Sequence, residues 1–254
     1  QRQMCIRDRS SRMKNQVLTT VNQCLLNGQV TVSDADGIHP QERGSRMKKG
    51  VRWVVHDRVG YYFLNKENVI LSNQRTEGSW KIANRQTTTP TDIIQQDVFT
   101  LSVDHGSYPN NEGYAYMVVP SADPLSIEKQ VEEEGVVVLA NCPDVQAVRH
   151  DGLNMAYAVF YKGGTLRIHD KIVVEMDAPG MLMVKYNDAG EILTLGVSDP
   201  TRFMKKLHLS VNQRIVGTAQ ENIQTEWDGK QALTRISVDL PQNEYAGKSV
   251  IYNK

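Results

Sequence analysis

Four ordered segments between Arg52 and Pro120 carry the clearest structural signals of this chain: Trp53-Val54-Val55-His56-Asp57-Arg58-Val59-Gly60-Tyr61, Gly78-Ser79-Trp80, Phe99-Thr100-Leu101-Ser102-Val103-Asp104-His105-Gly106 and Tyr114-Ala115-Tyr116-Met117-Val118-Val119-Pro120. In the third segment, Phe99, Leu101 and Val103 alternate with polar residues, which is the two-residue period of a half-buried strand. Alternate residues of the fourth segment are also apolar. Residues 106–113 between them are rich in Gly, Pro and Asn, so the two segments predict an antiparallel pair of strands.

Strand signals continue on both sides of this pair. They predict strands at residues 53–57, 59–64, 68–71 and 80–83, and then a junction at residues 120–135. Within the junction, residues 125–134 carry the one convincing helical pattern, which Gly135 ends. Beyond it, short strands are predicted at residues 136–140, 145–149, 156–161, 165–168, 171–176, 181–186, 191–197, 232–238 and 249–252. The fold class expected is all-β, an antiparallel sandwich followed by a second, smaller antiparallel β-sandwich.

Composition limits the classes of partner. The chain of 254 residues carries 29 basic and 29 acidic side chains, so it has no global field that would attract nucleic acid or an anionic membrane surface. Its apolar runs are shorter than the roughly 18–20 residues that cross a bilayer. We therefore predict neither a nucleic acid nor a membrane as partner.

Two His/Asp pairs, His56-Asp57 and Asp104-His105, contain residue types that serve as bases or metal ligands. Adjacent residues on a strand point to opposite faces, which disfavours cooperation within each pair. We expect these residues to close strand ends and to bond neighbouring backbone. The segment Asp34-Ala35-Asp36-Gly37 suggests a calcium loop, but an EF-hand needs Gly and Glu where this chain has His39 and Ser45. A turn before Pro40 is the expectation there.

Charged and aromatic residues leave several alternatives open. The densest basic segment comprises Arg43, Arg46, Lys48, Lys49 and Arg52, which reads either as a solvated loop or as a contact for a polyanionic sugar. Trp53 and Trp80 are expected in core or corner positions, and Trp227 is the tryptophan expected to be most exposed and able to stack on a sugar. Cys24 and Cys142 lack metal-ligand spacing, so they are either buried thiols or a disulfide pair.

Taken together and in order, the four opening segments resemble the super-sandwich domain of polysaccharide lyase family 8, which includes bacterial chondroitin AC, hyaluronate and xanthan lyases. The strands after the junction resemble the C-terminal β-sandwich of the same family, down to Val197-Ser198-Asp199-Pro200-Thr201. The resemblance covers roughly residues 14–210. It implies an incomplete super-sandwich at residues 11–134 and a C-terminal β-sandwich at residues 135–254.

The resemblance also implies a function. Members of the family cleave uronic-acid-containing polysaccharides by β-elimination, with Asn, His, Tyr and Arg supplied by an N-terminal helical toroid and aided by a Glu near the start of the super-sandwich. None of these positions is represented here, so no catalytic role passes to His56, His105 or Tyr61, and no metal or cofactor is expected. The parent would be a secreted or periplasmic bacterial lyase acting on chondroitin sulfate or hyaluronan, and this chain alone would be inactive and either poorly soluble or marginally stable. A non-catalytic carbohydrate-binding or adhesion module is the alternative.

The first ten residues are treated separately. Met4-Cys5-Ile6-Arg7-Asp8-Arg9 resembles the translation of a transposon end used in sequencing adapters, so we interpret residues 1–10 as an adapter artefact and exclude them from the fold prediction. A disordered basic arm is the alternative.

Overall fold

The computed structural model describes residues 14–110, 112–215 and 221–254, together with the backbone of residues 3–9. The chain divides into two compact units, Gln1–Gln130 and Val131–Lys254. The division falls inside the junction helix, a few residues before the predicted boundary at 134/135. Both units are built from antiparallel sheets, which confirms the predicted fold class.

The first unit is a single eight-stranded antiparallel sheet. Its strands are β1 (Gln3–Arg9), β2 (Gln16–Leu25), β3 (Val30–Asp34), β4 (Gly37–Pro40), β5 (Ser45–His56), β6 (Val59–Gly78), β7 (Ile94–Ser107) and β8 (Glu112–Pro120). The order is β1-β8-β6-β5-β3-β4, and β7 pairs with both β6 and β2. The long strand β6 contacts β8 near its start and β7 along its second half, so it joins the two parts of the sheet.

The apolar alternation in the third segment is confirmed in the core. Phe99, Leu101 and Val103 are at most 1 % exposed and pack with Phe63 and Leu71. Burying side chains of this size stabilises the unit by roughly 1.5–3 kcal/mol each. The predicted hairpin between residues 98–104 and 114–118 is wrong in its pairing, because β7 and β8 each pair with β6.

Two short helices accompany the sheet. The segment Trp80–Ala83, predicted as a strand, is helix α1, because the Ser79 side chain accepts the N–H of Lys81 and so caps a helical turn. The helix predicted at residues 125–134 is confirmed as α2 (Ile127–Glu134). Sequence reasoning did not predict β2, β3 or β4, although the turn at residues 34–37 is present between β3 and β4.

The fold prediction excludes residues 1–10. The structure places Gln3–Arg9 in β1, whose backbone pairs with β8 from Gln3↔Val118 to Arg9↔Glu112. This backbone pairing leaves the origin of the peptide untested, so the adapter interpretation stays a prediction.

The second unit is a sandwich of two antiparallel sheets. One sheet has the order β19-β15-β14-β11-β10-β9 and the other β12-β13-β16-β18-β17. The strands are β9 (Val136–Asn141), β10 (Val145–His150), β11 (Met155–Phe160), β12 (Gly164–His169), β13 (Ile172–Met176), β14 (Gly180–Tyr186), β15 (Ile192–Ser198), β16 (Lys206–Val211), β17 (Ile223–Asp228), β18 (Leu233–Asp239) and β19 (Val250–Asn253). Single 3-10 turns lie at Asp151–Leu153 and Asn243–Tyr245.

The core of the second unit lies between its two sheets. Its largest fully buried side chains are Phe160, Ile168, Ile172, Met176 and Leu207. The predicted second sandwich is therefore confirmed, and nine of its strands match predicted segments; β16 and β17 were missed. The opposite, solvent-facing side of the five-stranded sheet is lined mainly by polar side chains.

Candidate functional site

The first unit has a cleft of about 460 Å³ among the connections at the ends of its strands. Three connections form it: the loop between β2 and β3, the turn between β5 and β6, and the segment after β8. The polar groups that line it include Asn27, Gln29, Asp57, Arg58 and Asp123. Amide, carboxylate and guanidinium groups at one concave surface can bind a polar ligand.

The turn between β5 and β6 shapes the centre of this cleft. Asp57 and Arg58 have φ of 48° and 63°, the left-handed pair that a two-residue hairpin turn of the primed type requires. Asp adopts this conformation readily, whereas Arg does so at a cost of roughly 1–2 kcal/mol. Two bonds hold the turn: the Ala122 N–H donates to the Arg58 carbonyl at 2.8 Å, and the Asn27 amide donates to Asp57 at 2.9 Å.

His56 lies behind this turn and is 2 % exposed. Its ring stacks on Phe99 with centroids 4.3 Å apart, and its Nε2 accepts the backbone N–H of Asn27 at 3.0 Å. Burial lowers the pKa of His56, which favours the neutral ring that can accept this bond. The prediction that His56 closes a strand end and bonds neighbouring backbone is therefore confirmed.

A small polar network extends from His56 into the sheet. The Cys24 thiol lies 3.7 Å from His56 Nδ1, and Asn22 donates to both Cys24 and the Tyr61 hydroxyl. Burial raises the pKa of the Cys24 thiol and of the Tyr61 hydroxyl, so both are held protonated. Cys24 and Cys142 are free cysteines, so the disulfide alternative is wrong; both are half-buried and not the fully buried thiols of the other alternative.

The second His/Asp pair lies elsewhere in the sheet. Asp104 accepts the N–H of Gly106 at 2.9 Å, a bond to neighbouring backbone as predicted. His105 Nε2 lies 2.8 Å from the Thr19 hydroxyl, on β2. The expectation that this pair closes a strand end is wrong, because β7 continues to Ser107.

The basic segment is largely compensated by carboxylates. Four of its five cations form ion pairs: Arg43 with Asp97 at 2.8 Å, Arg46 with Glu42 at 2.5 Å, Lys48 with Asp34 at 3.3 Å and Arg52 with Glu128 at 3.8 Å. The loop expectation is wrong for most of the segment, since Ser45–His56 is strand β5. Each of these pairs has no net charge, so together they give the segment little positive potential to attract a polyanion.

Asp34 is held by bonds within its own hairpin. Its side chain accepts from the Asp36 N–H at 3.0 Å and lies 3.1 Å from His39 Nε2. Burial raises the pKa of the Asp34 carboxyl, but the bonds from His39, Asp36 and Lys48 outweigh it and leave that pKa below its ordinary value. Among the residues that the structure describes, no group of three or more His, Cys, Asp or Glu side chains could hold a metal ion. Nor does any helix there have the length and apolar character needed to cross a membrane.

The three tryptophans occupy different environments. Trp53 is fully buried, as predicted, and its indole N–H donates to Glu128 at 3.2 Å. The core or corner position predicted for Trp80 is wrong, because its side chain on α1 is 61 % exposed. Trp227 is 38 % exposed, so the expectation that it would be the most exposed of the three is also wrong.

A second concave surface lies in the other unit, on the solvent-facing side of the five-stranded sheet. This groove has a volume of about 560 Å³ and is lined mainly by polar residues of β13, β16, β17 and β18. Sequence reasoning missed it, because β16 and β17 were not predicted. The alternation of Leu207, Leu209 and Val211 with polar residues is the signal that would have indicated β16.

Comparisons with known proteins match both units. The family model for the polysaccharide lyase family 8 super-sandwich domain matches residues 3–131, and the model for the C-terminal beta-sandwich domain of that family matches residues 137–208. These two matches follow the order predicted from the sequence.

Individual relatives agree with the family models. Chondroitinase-AC of Pedobacter heparinus is 32 % identical over 95 % of this chain, xanthan lyase of Bacillus sp. 26 % over 57 %, and hyaluronate lyase HylB of Enterococcus faecalis 28 % over 60 %. The chain covers 32 %, 15 % and 15 % of these relatives, so it spans at most about a third of their length. A solved structure of chondroitinase AC lyase with oligosaccharides aligns to 99 % of this chain, with a TM-score of 0.80 and 31 % identity, over 34 % of its own length.

Proposed function

Because this chain belongs to polysaccharide lyase family 8, we propose that it is the non-catalytic C-terminal portion of a lyase that cleaves uronic-acid-containing glycosaminoglycans by β-elimination. Residues 11–134 would form part of the super-sandwich and residues 135–254 the C-terminal β-sandwich. The observation that carries the proposal is the similarity to chondroitinase AC lyase over 99 % of this chain, a third of that enzyme's length.

The proposed substrate is chondroitin sulfate or hyaluronan. The relatives that support this choice are named as a chondroitinase and a hyaluronate lyase. Both are bacterial proteins, and we propose that the parent of this chain is likewise bacterial and is exported to where such polymers occur.

The chemistry of elimination supports a scaffolding role. A base must remove the proton at C5 of the uronate, a positive or hydrogen-bonding group must stabilise the developing charge, and an acid must protonate the leaving oxygen. The buried imidazole beside the first cleft is neutral and already accepts a backbone N–H, so it is a poor base in this arrangement. We propose that the reactive groups belong to a helical toroid elsewhere in the parent, against which this chain would act as structural support.

A turnover assay tests this proposal. The 254-residue chain and its full-length parent would be incubated separately with chondroitin sulfate and with hyaluronan, and ultraviolet absorbance would report the unsaturated uronate product. We expect the parent to produce it and the isolated chain to produce none. Depolymerisation by the isolated chain would refute the non-catalytic role, and an inactive, correctly folded parent would refute the substrate class.

A non-catalytic carbohydrate-binding or adhesion module remains the second candidate. The polar groove of the second unit is the observation that favours it. The upstream reading frame of the gene distinguishes the candidates, because only the lyase requires a helical domain carrying Asn, His, Tyr and Arg.

A further inference from the structure

The groove on the five-stranded sheet has the dimensions of a ligand site. Its volume of about 560 Å³ lies within the range of roughly 300–1,000 Å³ that small-molecule pockets occupy. It lies on the side of the sheet that faces away from the core, where Glu175, His208, Gln224 and Glu226 are exposed. The strands beneath are held by the packed sandwich, so the groove is presented on a rigid support.

The floor of the groove consists of two rows of polar side chains that cross the strands. Strand register places Glu175 opposite Ser210, Ser210 opposite Arg235, and Arg235 opposite Glu226, in one continuous row over four strands. A second row, two residues along each strand, contains His208 opposite Ser237 and Ser237 opposite Gln224. Residues two apart on a strand share a face, so both rows point into the groove.

The spacing of the carboxylates argues against a single bound cation. Glu175 and Glu226 stand at the two ends of the first row, about 14 Å apart across three strand spacings of roughly 4.8 Å each. A metal ion needs its oxygen ligands within about 2.6 Å, which these positions cannot provide together. The row instead presents in succession the acceptor of Glu175, the hydroxyl of Ser210, the donors of Arg235 and the acceptor of Glu226. Such a series suits a ligand with several hydroxyl groups, because each hydroxyl both donates and accepts.

The charge of the groove argues against a polyanion. Three carboxylates line it, those of Glu175, Asp177 and Glu226, against one guanidinium, that of Arg235. Arg235 is itself paired with Asp228 at 3.0 Å and donates to Gln231 at 2.8 Å, so its positive charge is already compensated. A sulfated or uronate-rich polymer would therefore meet net repulsion here.

From the register, volume and charge we propose that this groove binds a neutral, hydroxyl-rich oligosaccharide. Hydroxyl groups of the sugar would donate to Glu175 and Glu226 and would accept from Arg235 and Ser237. The groove would hold the protein on a neutral glycan, separately from any acidic polymer that the parent cleaves. This inference does not depend on the proposed lyase activity.

Binding measurements on the full 254-residue chain test the inference. Isothermal titration calorimetry would use four neutral hexasaccharides, of cellulose, xylan, mannan and chitin type, and a chondroitin hexasaccharide as the acidic probe. We expect at least one neutral hexasaccharide to bind and the acidic one not to bind. Ser237→Trp, which fills the middle of the groove, should weaken the neutral ligand at least ten-fold.

A second variant covers the case in which Ser237→Trp does not fold. Glu226→Gln lies on the exposed edge strand β17 and keeps the size of the side chain, and it should weaken binding several-fold by removing one charged acceptor. Glu244→Gln is the matched control, since Glu244 is exposed, is not among the residues lining the groove and should leave binding unchanged. Circular dichroism would verify folding of each variant.

Three results would overturn the inference: none of the neutral hexasaccharides binds, folded groove variants bind as tightly as the unaltered chain, or the chondroitin probe binds and loses affinity in the groove variants. Failure here is distinguishable from failure of the proposed function, because the turnover assay uses acidic polymers and a different readout.

Discussion

Replacing Gly60 by alanine tests how the junction helix packs on the first unit. Gly60 lies at the start of β6, and a Cβ added there would lie 2.8 Å from the Cβ of Ala122 and still closer to the Cδ1 of Ile127. Ile127 is fully buried, so it has little room to withdraw. The absence of a side chain at Gly60 therefore allows α2 to approach the sheet.

The expected size follows from two opposing effects. Overpacking a filled core costs about 1–3 kcal/mol. Where alanine fits, replacing glycine stabilises a protein by about 0.4–1 kcal/mol through the unfolded state. We expect Gly60→Ala to lower the free energy of unfolding by about 1–3 kcal/mol, since the crowding dominates. Gly78→Ala is the control at the other end of β6, where an added Cβ meets nothing within 4 Å and the change should be neutral or stabilising.

A double-mutant cycle identifies the cause. Ile127→Val removes the Cδ1 methyl that the new Cβ meets, and alone it should cost about 0.5–1.5 kcal/mol. If the crowding is real, the double variant should be more stable than the sum of the single effects by more than about 0.5 kcal/mol. Urea unfolding followed by tryptophan emission measures each term, with Trp53 as a buried reporter in the same unit. Additive effects, or a Gly60→Ala variant as stable as the unaltered chain, would refute the reasoning.

Three further predictions concern stability. Trp53→Ala should lower the unfolding free energy by about 3–5 kcal/mol because the ring is fully buried, whereas Trp80→Ala should change it by less than about 0.5 kcal/mol; equal losses in urea titrations would contradict this. Burial, with a smaller effect from Glu112, raises the pKa of Glu67 from 4.5 to about 7. The unfolded chain therefore loses this proton at a lower pH than the folded chain, so the free energy of unfolding should fall as pH rises from 4.5 through 7. Glu67→Gln should abolish that fall, and a variant with the same pH profile of unfolding as the unaltered chain would count against this reasoning. Asp199→Ala should cost about 1.5–3 kcal/mol at pH 7, because the buried carboxylate of Asp199 accepts the part-buried N–H groups of Thr201, Phe203 and Met204 and the variant removes that charged acceptor; a melting temperature equal to that of the unaltered chain would exclude this role.

Sequence periodicity succeeded where strands are buried on one face. The alternation around Phe99 and the short apolar runs after the junction each specify a face, and the structure buries those faces. Strand β2 was missed because its pairing with β7 is interrupted twice, between Gln16 and Leu18 and between Thr20 and Asn22. Each irregularity shifts the side-chain alternation, so no clean two-residue period survives in the sequence.

The error at Trp80 has a local cause. Gly78-Ser79 reads as a turn before a strand, but Ser is also a favoured N-cap, and the following residues form one helical turn at the end of the β6–β7 hairpin. Such a short helix has too few residues to display a 3.6-residue period. The choice between the two readings depends on tertiary context that the segment itself does not contain.

The candidate sites could not be predicted because each depends on how strands distant in the sequence pair with one another. Glu175, Ser210 and Arg235 share one row of the groove although they lie far apart in the sequence, and a shift of one residue in any strand would turn its side chains into the core. The cleft of the first unit likewise combines Asn27, Asp57 and Asp123 from three connections. Local patterns identify the strands, whereas the pairing of distant strands determines which polar groups meet.

The pairing of charges distinguishes the proposed acidic substrate of the parent from the neutral glycan proposed for the groove. A polyanionic substrate is attracted by cations whose charge is uncompensated, yet Arg43, Arg46, Lys48 and Arg52 each face a carboxylate of the same unit. The groove of the second unit carries an excess of carboxylates. Both features follow if the parent binds its acidic polymer chiefly through residues of another domain, while this chain supplies support and a separate surface for neutral sugars. Salt would then distinguish the two activities, because screening weakens attraction to a polyanion and leaves hydrogen bonding to a neutral glycan nearly unchanged.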